Sequence, residues 1–454
     1  MQQYSNALFT DLYELTMAQA YWHSGYTGQA TFSLYFRGYP SNRAYYVCAG
    51  IEDVLDHLES FRFEDADIEY LRDLGRFNGA FLDFLSGVRF TGAVRAMKEG
   101  ELCFSNEPLV EVTAPIIEAQ LIETFILNQV TTDSTLATKA SRVVHAAEGR
   151  SVVDFSARRT QGTDAANKAA RAGYLVGYDG TSNVQAAALY GIPPVGTMAH
   201  SLIMAFENEI DSFRAYAATF PDSSTLLVDT YDTIEGVKNA ITVALELAKS
   251  GHTLQAVRLD SGDMGKLAKQ SRQLLDEAGL KTTRIIASGG LDEFEVAALI
   301  RSGAPIDGFG VGTKVGVSAD APYLDSTYKL VEYASRPVLK LSTSKETLPG
   351  PKQVYRTWSA NGEYAGDVIA RADEPAPKGA AEPLLHKVMS GGRRQVKHSD
   401  LEEARGRFRD GFQRLPAQHR DINDPQLYDV RVSDDLDALR ASVTTEIEKR
   451  HGTG

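Results

Sequence analysis

Seven short clusters between residues 151 and 315 carry side chains able to do chemistry, and each directly follows an apolar run. They are Ser156-x-Arg158-Arg159, Asp179-x-Thr181-Ser182, Thr197-x-x-His200-Ser201, Asp229-x-x-Asp232, Arg258-x-Asp260-Ser261-x-Asp263, Ser288-Gly289-Gly290 and Gly310-x-Gly312-Thr313-Lys314. His200 is the one imidazole among them; near neutral pH such a group takes up a proton, gives one up, or attacks as a nucleophile. A lone histidine is as readily a structural residue, so its neighbours decide the reading. Asp229, Asp260 and Asp263 offer hard oxygens for ribose hydroxyls or for a Mg²⁺ held by substrate phosphates, against a plain alternative as helix caps that is strongest for Asp263. Arg258 lies two residues before Asp260, on the same strand face, so the pair suits a planar anionic ring with a sugar beside it. Ser288-Gly289-Gly290 stands just before a predicted helix, where backbone N–H groups and the helix dipole hold an anion. With Gly312 and Thr313 it forms a phosphate-binding pair after the last two strands.

The elements that must position these residues are apolar runs at 151–155, 174–178, 192–196, 225–228, 254–259, 284–287 and 306–311, most of them separated by helical stretches such as 234–249, 264–278 and 292–301. That spacing is one βα unit, and seven in series favour a parallel α/β barrel, whose chemistry collects at the C-terminal strand ends. An open doubly wound sheet would give the same local pattern. Residues 1–135 read as an α+β domain, with a helix from a Thr10 N-cap to about Ser24, a strand at 31–36 and a helix over 116–134. Residues 136–335 read as the barrel and 336–454 as a C-terminal segment packing back on the N-terminal domain, with strands at 337–341 and 354–358, a loop at 374–381 and helices near 399–414 and 433–450.

The chain of 454 residues is 43% hydrophobic and 24% charged, an ordinary globular composition, and its net charge of −13 opposes nonspecific attraction to nucleic acid or anionic membrane. Only two cysteines occur, so neither a disulfide framework nor a CxxC metal or redox site is expected. The opening residues lack the basic and apolar regions of a signal peptide, and no apolar run spans a bilayer, so the expected location is cytoplasmic. HExxH, GxSxG and P-loop motifs are absent. A sugar-phosphate lyase would need a Schiff-base lysine at a strand end, and the first six ends offer none.

Several stretches, in order from residue 8 to about 357, resemble the nicotinate phosphoribosyltransferases of the type II phosphoribosyltransferases. They are Leu8-Phe9-Thr10-Asp11-Leu12-Tyr13, the run from Asp154 to Gly162, Gly180-Thr181-Ser182-Asn183, Gly196-Thr197-Met198-Ala199-His200-Ser201, Val257-Arg258-Leu259-Asp260-Ser261-Gly262-Asp263 and Gly308-Phe309-Gly310-Val311-Gly312-Thr313. The resemblance implies an irregular barrel with a flanking α+β domain, and synthesis of nicotinate mononucleotide and pyrophosphate from nicotinate and phosphoribosyl pyrophosphate. It implies ATP and Mg²⁺ as cofactors, no protein-bound metal site, and a homodimer with its site at the subunit interface. His200 would be phosphorylated by ATP. Asp229 and Asp260 would contact ribose or Mg²⁺-pyrophosphate. Tyr13 (from the neighbouring subunit), Phe155, Arg158, Thr197 and Arg258 would line the nicotinate site, and Ser288, Gly289, Gly290, Gly312 and Thr313 the 5′-phosphate cradle. Arg37, Lys329, Lys340 and Lys345 would meet pyrophosphate or ATP phosphates. Ser182, where nicotinamide-using relatives are expected to be acidic, favours nicotinate over nicotinamide or another base.

Overall fold

The structure, a computed structural model, describes residues 4–341, 347–379 and 381–451. It divides into two compact units: residues 136–322 form one, and residues up to 135 together with those from 323 onward form the other.

The 136–322 unit is built on six strands: Ser151–Asp154, Gly180–Thr181, Thr225–Leu227, Ala256–Leu259, Arg284–Ser288 and Gly308–Val311. All their pairings are parallel, and the strand order is second, first, sixth, fifth, fourth, third. The last strand is buried at every position, as expected of a parallel strand covered on both faces. Helices return the chain between strands, and three open on carboxylates placed for the task. Asp232 accepts from Glu235 N, Asp263 from Lys266 N, and Asp292 closes a reciprocal capping box with Glu295.

Two of the seven expected strands differ. In the run at 174–178, Tyr174 and Leu175 end a helix, Thr163–Leu175, and the strand lies beyond the run at Gly180–Thr181. The run at 192–196 makes only an isolated bridge from Pro194 to Thr181. Pro193 and Pro194 carry no N–H for a ladder, so the remaining bonds are Thr181 N to Pro193 O (3.1 Å) and Val195 N to Thr181 O (2.8 Å). The sheet is a half-barrel and not a closed ring of equal strands.

A buried ion cluster steadies the fifth strand end. Glu293, fully buried at the start of Glu293–Arg301, accepts from Lys139 Nζ at 2.5 Å and from Arg142 Nε at 2.8 Å. Removing one partner of such a cluster typically costs about 3–5 kcal/mol, because the remaining charge is stranded.

In the other unit a seven-stranded sheet places Gln29–Phe36 antiparallel to both Val110–Pro115 and Ser326–Tyr333. Ser326–Tyr333 therefore belongs here, although the pattern of the chain assigned residues up to 335 to the barrel. The C-terminal strand His386–Ser390 pairs with Ala93–Ala96 in the same sheet, so the two ends of the chain share one core. A second, four-stranded sheet contains Lys352–Trp358 and Tyr364–Arg371. The first helix is Leu12–His23 with Asp11 as its N-cap; Thr10 instead bonds Glu14 through its hydroxyl. The single helix expected over 116–134 is two, Ile116–Leu121 and Glu123–Ala146. The strand expected at 337–341 is reduced to Arg336–Pro337, beyond which Val338 N still bonds Val331 O at 2.9 Å. The C-terminal helices are Leu401–Arg414 and Asp434–His451.

Candidate active site

The fourth and fifth strands end side by side, which brings Arg258, Asp260 and Ser288 into one hydrogen-bonded group. Arg258 donates from Nη2 to Asp260 Oδ1 (2.7 Å) and from Nε to Ser288 Oγ (2.8 Å). From Nη1 it donates to Thr197 Oγ1 (3.1 Å) and Met198 O (3.4 Å). The Ser288 hydroxyl lies 2.5 Å from the same oxygen of Asp260. Burial pushes the Asp260 carboxyl up, but the hydrogen bonds from Ser288 and Arg258 outweigh it and hold the group below the usual aspartate value. Asp260 is therefore an anion across the physiological range.

All three guanidinium nitrogens of Arg258 donate to the protein, and its guanidinium lies 5.2 Å from the centre of the Phe155 ring. The side chain is thereby held in place on the wall of the site.

His200 opens the short helix His200–Met204 and faces the same cluster. Its Nδ1 is 3.1 Å from Thr230 Oγ1, and its Nε2 is 4.0 Å from Asp260 Oδ2. Asp229 braces this arrangement: its Oδ2 accepts from Asp260 N (3.2 Å) and from the Ser261 hydroxyl (2.5 Å). Its Oδ1 is buried with no hydrogen-bond partner, a state that costs free energy unless a ligand or cation completes it.

The glycines explain how backbones approach this closely. A Cβ on Gly289 (φ +94°) would stand 1.9 Å from Asp260 O, and on Gly312 it would stand 2.9 Å from Phe155 O. Gly290 (φ +74°) is open to solvent, as is Thr313 at the start of the short helix Thr313–Gly316. Lys314, the last residue of the Gly310-x-Gly312-Thr313-Lys314 cluster, is engaged by Glu295 (2.6 Å) and Asp292 (3.3 Å).

The structure thus gathers His200, Asp229, Asp260, Arg258, Thr197, Ser288, Gly289 and Phe155. Arg158 stands exposed on the turn Ala157–Arg159 that follows the first strand. Tyr13 is half-exposed on the first helix of the other unit, its hydroxyl pushed up to about 12 by burial and by Glu123, Glu14 and Asp11. Arg37, Lys329 and Lys340 belong to that unit too, with Arg37 bonded to Thr327 Oγ1 at 3.3 Å; Lys345 lies outside the described residues.

Two contributors escaped the sequence reading. Thr230 touches the histidine, and its only signal was its place directly after Asp229. Asp154, buried, accepts from Ser156 N (2.9 Å) and Thr181 Oγ1 (2.6 Å), tying together the loops that carry Phe155 and Ser182. Burial raises its carboxyl above the usual value.

Parallel strands whose C-terminal loops gather a histidine, two aspartates and glycine turns have the architecture of the type II phosphoribosyltransferases. Comparison with known proteins narrows the class. Residues 8–131, 150–347 and 379–440 match in turn the N-terminal domain, the family and the C-terminal domain of the nicotinate phosphoribosyltransferases. The chain is 50% identical over 452 residues to nicotinate phosphoribosyltransferase pncB2 of Mycobacterium tuberculosis, covering 98% of this chain and 96% of that protein. It is 41% identical to the nicotinate phosphoribosyltransferase of Bacillus subtilis over 85% of this chain and 80% of that one. The crystal structure of human nicotinic acid phosphoribosyltransferase superposes with a TM-score of 0.87 at 30% identity, over 96% of this chain and 99% of the human one. The chain belongs to the nicotinate phosphoribosyltransferase family. No helix among the described residues is long and apolar enough to cross a membrane.

Proposed function

We propose that this protein joins nicotinate to the phosphoribosyl group of phosphoribosyl pyrophosphate, releasing pyrophosphate, in salvage of the pyridine ring for NAD. Asp260 carries this reading: one oxygen is fixed by Arg258 and Ser288, and the other is turned toward His200. In the transfer, the bond from ribose C1 to the pyrophosphate oxygen weakens as the ring nitrogen approaches, and positive charge spreads over C1 and the ring oxygen. Two carboxylates at the strand ends stabilise that charge, and holding ring and ribose in line removes much of the entropic barrier. Gly289 and Gly290 with Ser288, and Gly312 with Thr313, form the cradle for the 5′-phosphate.

The donor set fits Mg²⁺ held jointly with pyrophosphate. The unpartnered Asp229 Oδ1 and the outward Asp260 Oδ2 are hard oxygens, and no larger cluster of protein ligands occurs among the described residues. The ion would neutralise the departing pyrophosphate. His200 accepts a phosphoryl group from ATP, coupling ATP hydrolysis to nucleotide formation, and the added charge beside the pyrophosphate site alters substrate affinity. Tyr13 and Arg158, both exposed in one chain, are completed in a cytoplasmic homodimer in which Tyr13 serves the neighbouring pocket.

Pyrophosphate release should be measured with phosphoribosyl pyrophosphate and nicotinate, nicotinamide or quinolinate in turn. Turnover is expected with nicotinate. No turnover with nicotinate, or preference for another base, overturns the assignment.

A further inference from the structure

The first two strands of the 136–322 unit pair in parallel with Asp154 opposite Thr181, and the next residue on each is Phe155 and Ser182. Asp154 and Thr181 are both buried, and their side chains meet. The carboxylate accepts from the Thr181 hydroxyl at 2.6 Å through Oδ2 and from Ser156 N at 2.9 Å through Oδ1. The same hydroxyl accepts from Asn183 N at 3.0 Å. One carboxylate thus fixes the residue after Phe155 and, through Thr181, the residue after Ser182. Backbone bonds complete the frame: Ser182 N to Asp154 O (2.8 Å) and Phe155 N to Val311 O (2.7 Å). The Phe155 ring has little room, because a Cβ on Gly310 would stand 2.5 Å from it and the Arg258 guanidinium lies 5.2 Å from its centre. Ser182 is the opposite case. Its backbone is fixed, but the side chain is exposed and its hydroxyl has no hydrogen-bond partner among the described residues.

We propose that Asp154 and Thr181 are positioning residues that hold the Phe155 ring and the Ser182 hydroxyl at a set spacing, which selects a pyridine whose carboxylate is meta to the ring nitrogen. This rests on the reading of these strand ends as the nicotinate site. With the pyridine ring against Phe155 and its nitrogen turned to ribose C1, the Ser182 hydroxyl donates to a carboxylate at the meta position and misses one at the para position. Nicotinate and isonicotinate (pyridine-4-carboxylate) carry the same ring and the same charge, so a difference in their binding reports geometry alone. The Thr181 hydroxyl is the side-chain link in the brace. Without it the backbone pairing of the two strands remains, but the turn that carries Ser182 is no longer tied to the carboxylate, and Asn183 N loses its acceptor. Truncating Asp154 itself would strand two buried donors, so the test is made at Thr181.

The test uses the full-length chain and measures KM for nicotinate and for phosphoribosyl pyrophosphate, together with the inhibition constant of isonicotinate competing with nicotinate. Wild type should hold nicotinate more tightly than isonicotinate by about tenfold or more, the order of one hydrogen bond to a charged group. Thr181→Val, which keeps the shape of the side chain, should raise KM for nicotinate about tenfold. It should leave the isonicotinate constant and KM for phosphoribosyl pyrophosphate within about twofold, so the discrimination between the two isomers collapses. Thr181→Ser should restore it. Partial misfolding lowers kcat in proportion to the lost enzyme and leaves these ratios untouched, so a purely structural role would not reproduce the pattern. Equal binding of the two isomers by wild type overturns the proposal. So does a Thr181→Val protein in which all three constants move together or none moves. If wild type uses nicotinamide instead, and Thr181→Val raises the KM of that base alone, the nicotinate reading fails while the brace stands. Turnover of neither base overturns both.

Discussion

Arg258 and Asp260, two residues apart at the end of one strand, form a 2.7 Å ion pair whose shared third partner, Ser288, belongs to the neighbouring strand. The pair leaves Asp260 with a single free oxygen and points it at His200. Arg258→Lys keeps the charge but cannot reach Asp260, Ser288 and Thr197 together. We expect kcat/KM to fall by about 10²-fold, the order seen when one oriented electrostatic contact is lost, with thermal stability nearly unchanged. Steady-state kinetics showing less than a twofold change would remove Arg258 as the organiser.

Ser288→Ala removes one of the hydrogen bonds holding the Asp260 carboxyl below its ordinary value. With a depressed value, Asp260 contributes stability that is fully present above the unfolded aspartate pKa, about 3.9, and is lost as pH falls through the lower folded value. In Ser288→Ala that loss, and the acidic limb of the activity profile, should move to higher pH. A profile superimposable on wild type would contradict this.

Gly289 and Gly290 separate two effects of one substitution. Both have positive φ, but only at Gly289 does an added Cβ meet backbone, 1.9 Å from Asp260 O. Gly290→Ala should cost about 1–2 kcal/mol from backbone conformation alone. Gly289→Ala should cost more and also displace Asp260, lowering both melting temperature and activity. Equal costs in denaturant titrations would show that the close approach does not matter.

Two buried groups of one core oppose each other in pH. Burial pushes Glu14 up to about 7, although Thr10 and Thr124 hydrogen-bond it, and burial pushes His57 down to about 4. Between the ordinary carboxylate value and 7 the folded state binds the extra proton at Glu14, so this group lowers stability as pH rises. Between 4 and the ordinary imidazole value the unfolded state binds the extra proton at His57, so this group raises stability as pH rises. Their contributions largely cancel over about pH 4.5–6.5. Glu14→Gln should expose a stability that climbs with pH across that interval, read by denaturant titration. An unchanged pH dependence would refute the pairing.

Strand ends were legible in the sequence because a parallel strand must be apolar and its loop must not be, which put Asp229, Arg258 and Ser288 at strand ends. The failures have equally local causes. At 174–178, Tyr174 and Leu175 finish a buried helix, and a short apolar run has no periodicity to separate helix from strand. At 192–196 the two prolines should have demoted the strand. The pairing of Ser326–Tyr333 with Gln29–Phe36 spans some three hundred residues, and no local pattern encodes it. Within the site, residue types marked Arg258 as cationic, but only the three-dimensional arrangement shows that its donors are already engaged. Thr230 was invisible for a similar reason: a threonine beside an aspartate has no chemical signature until a histidine is set against it.

The most direct measurement is the rate of nicotinate-dependent pyrophosphate release, with and without ATP, in wild type and His200→Ala. ATP should stimulate wild type severalfold or more and leave His200→Ala at the ATP-independent rate. Equal stimulation of both proteins, or no nicotinate-dependent release from wild type, would contradict the proposed function.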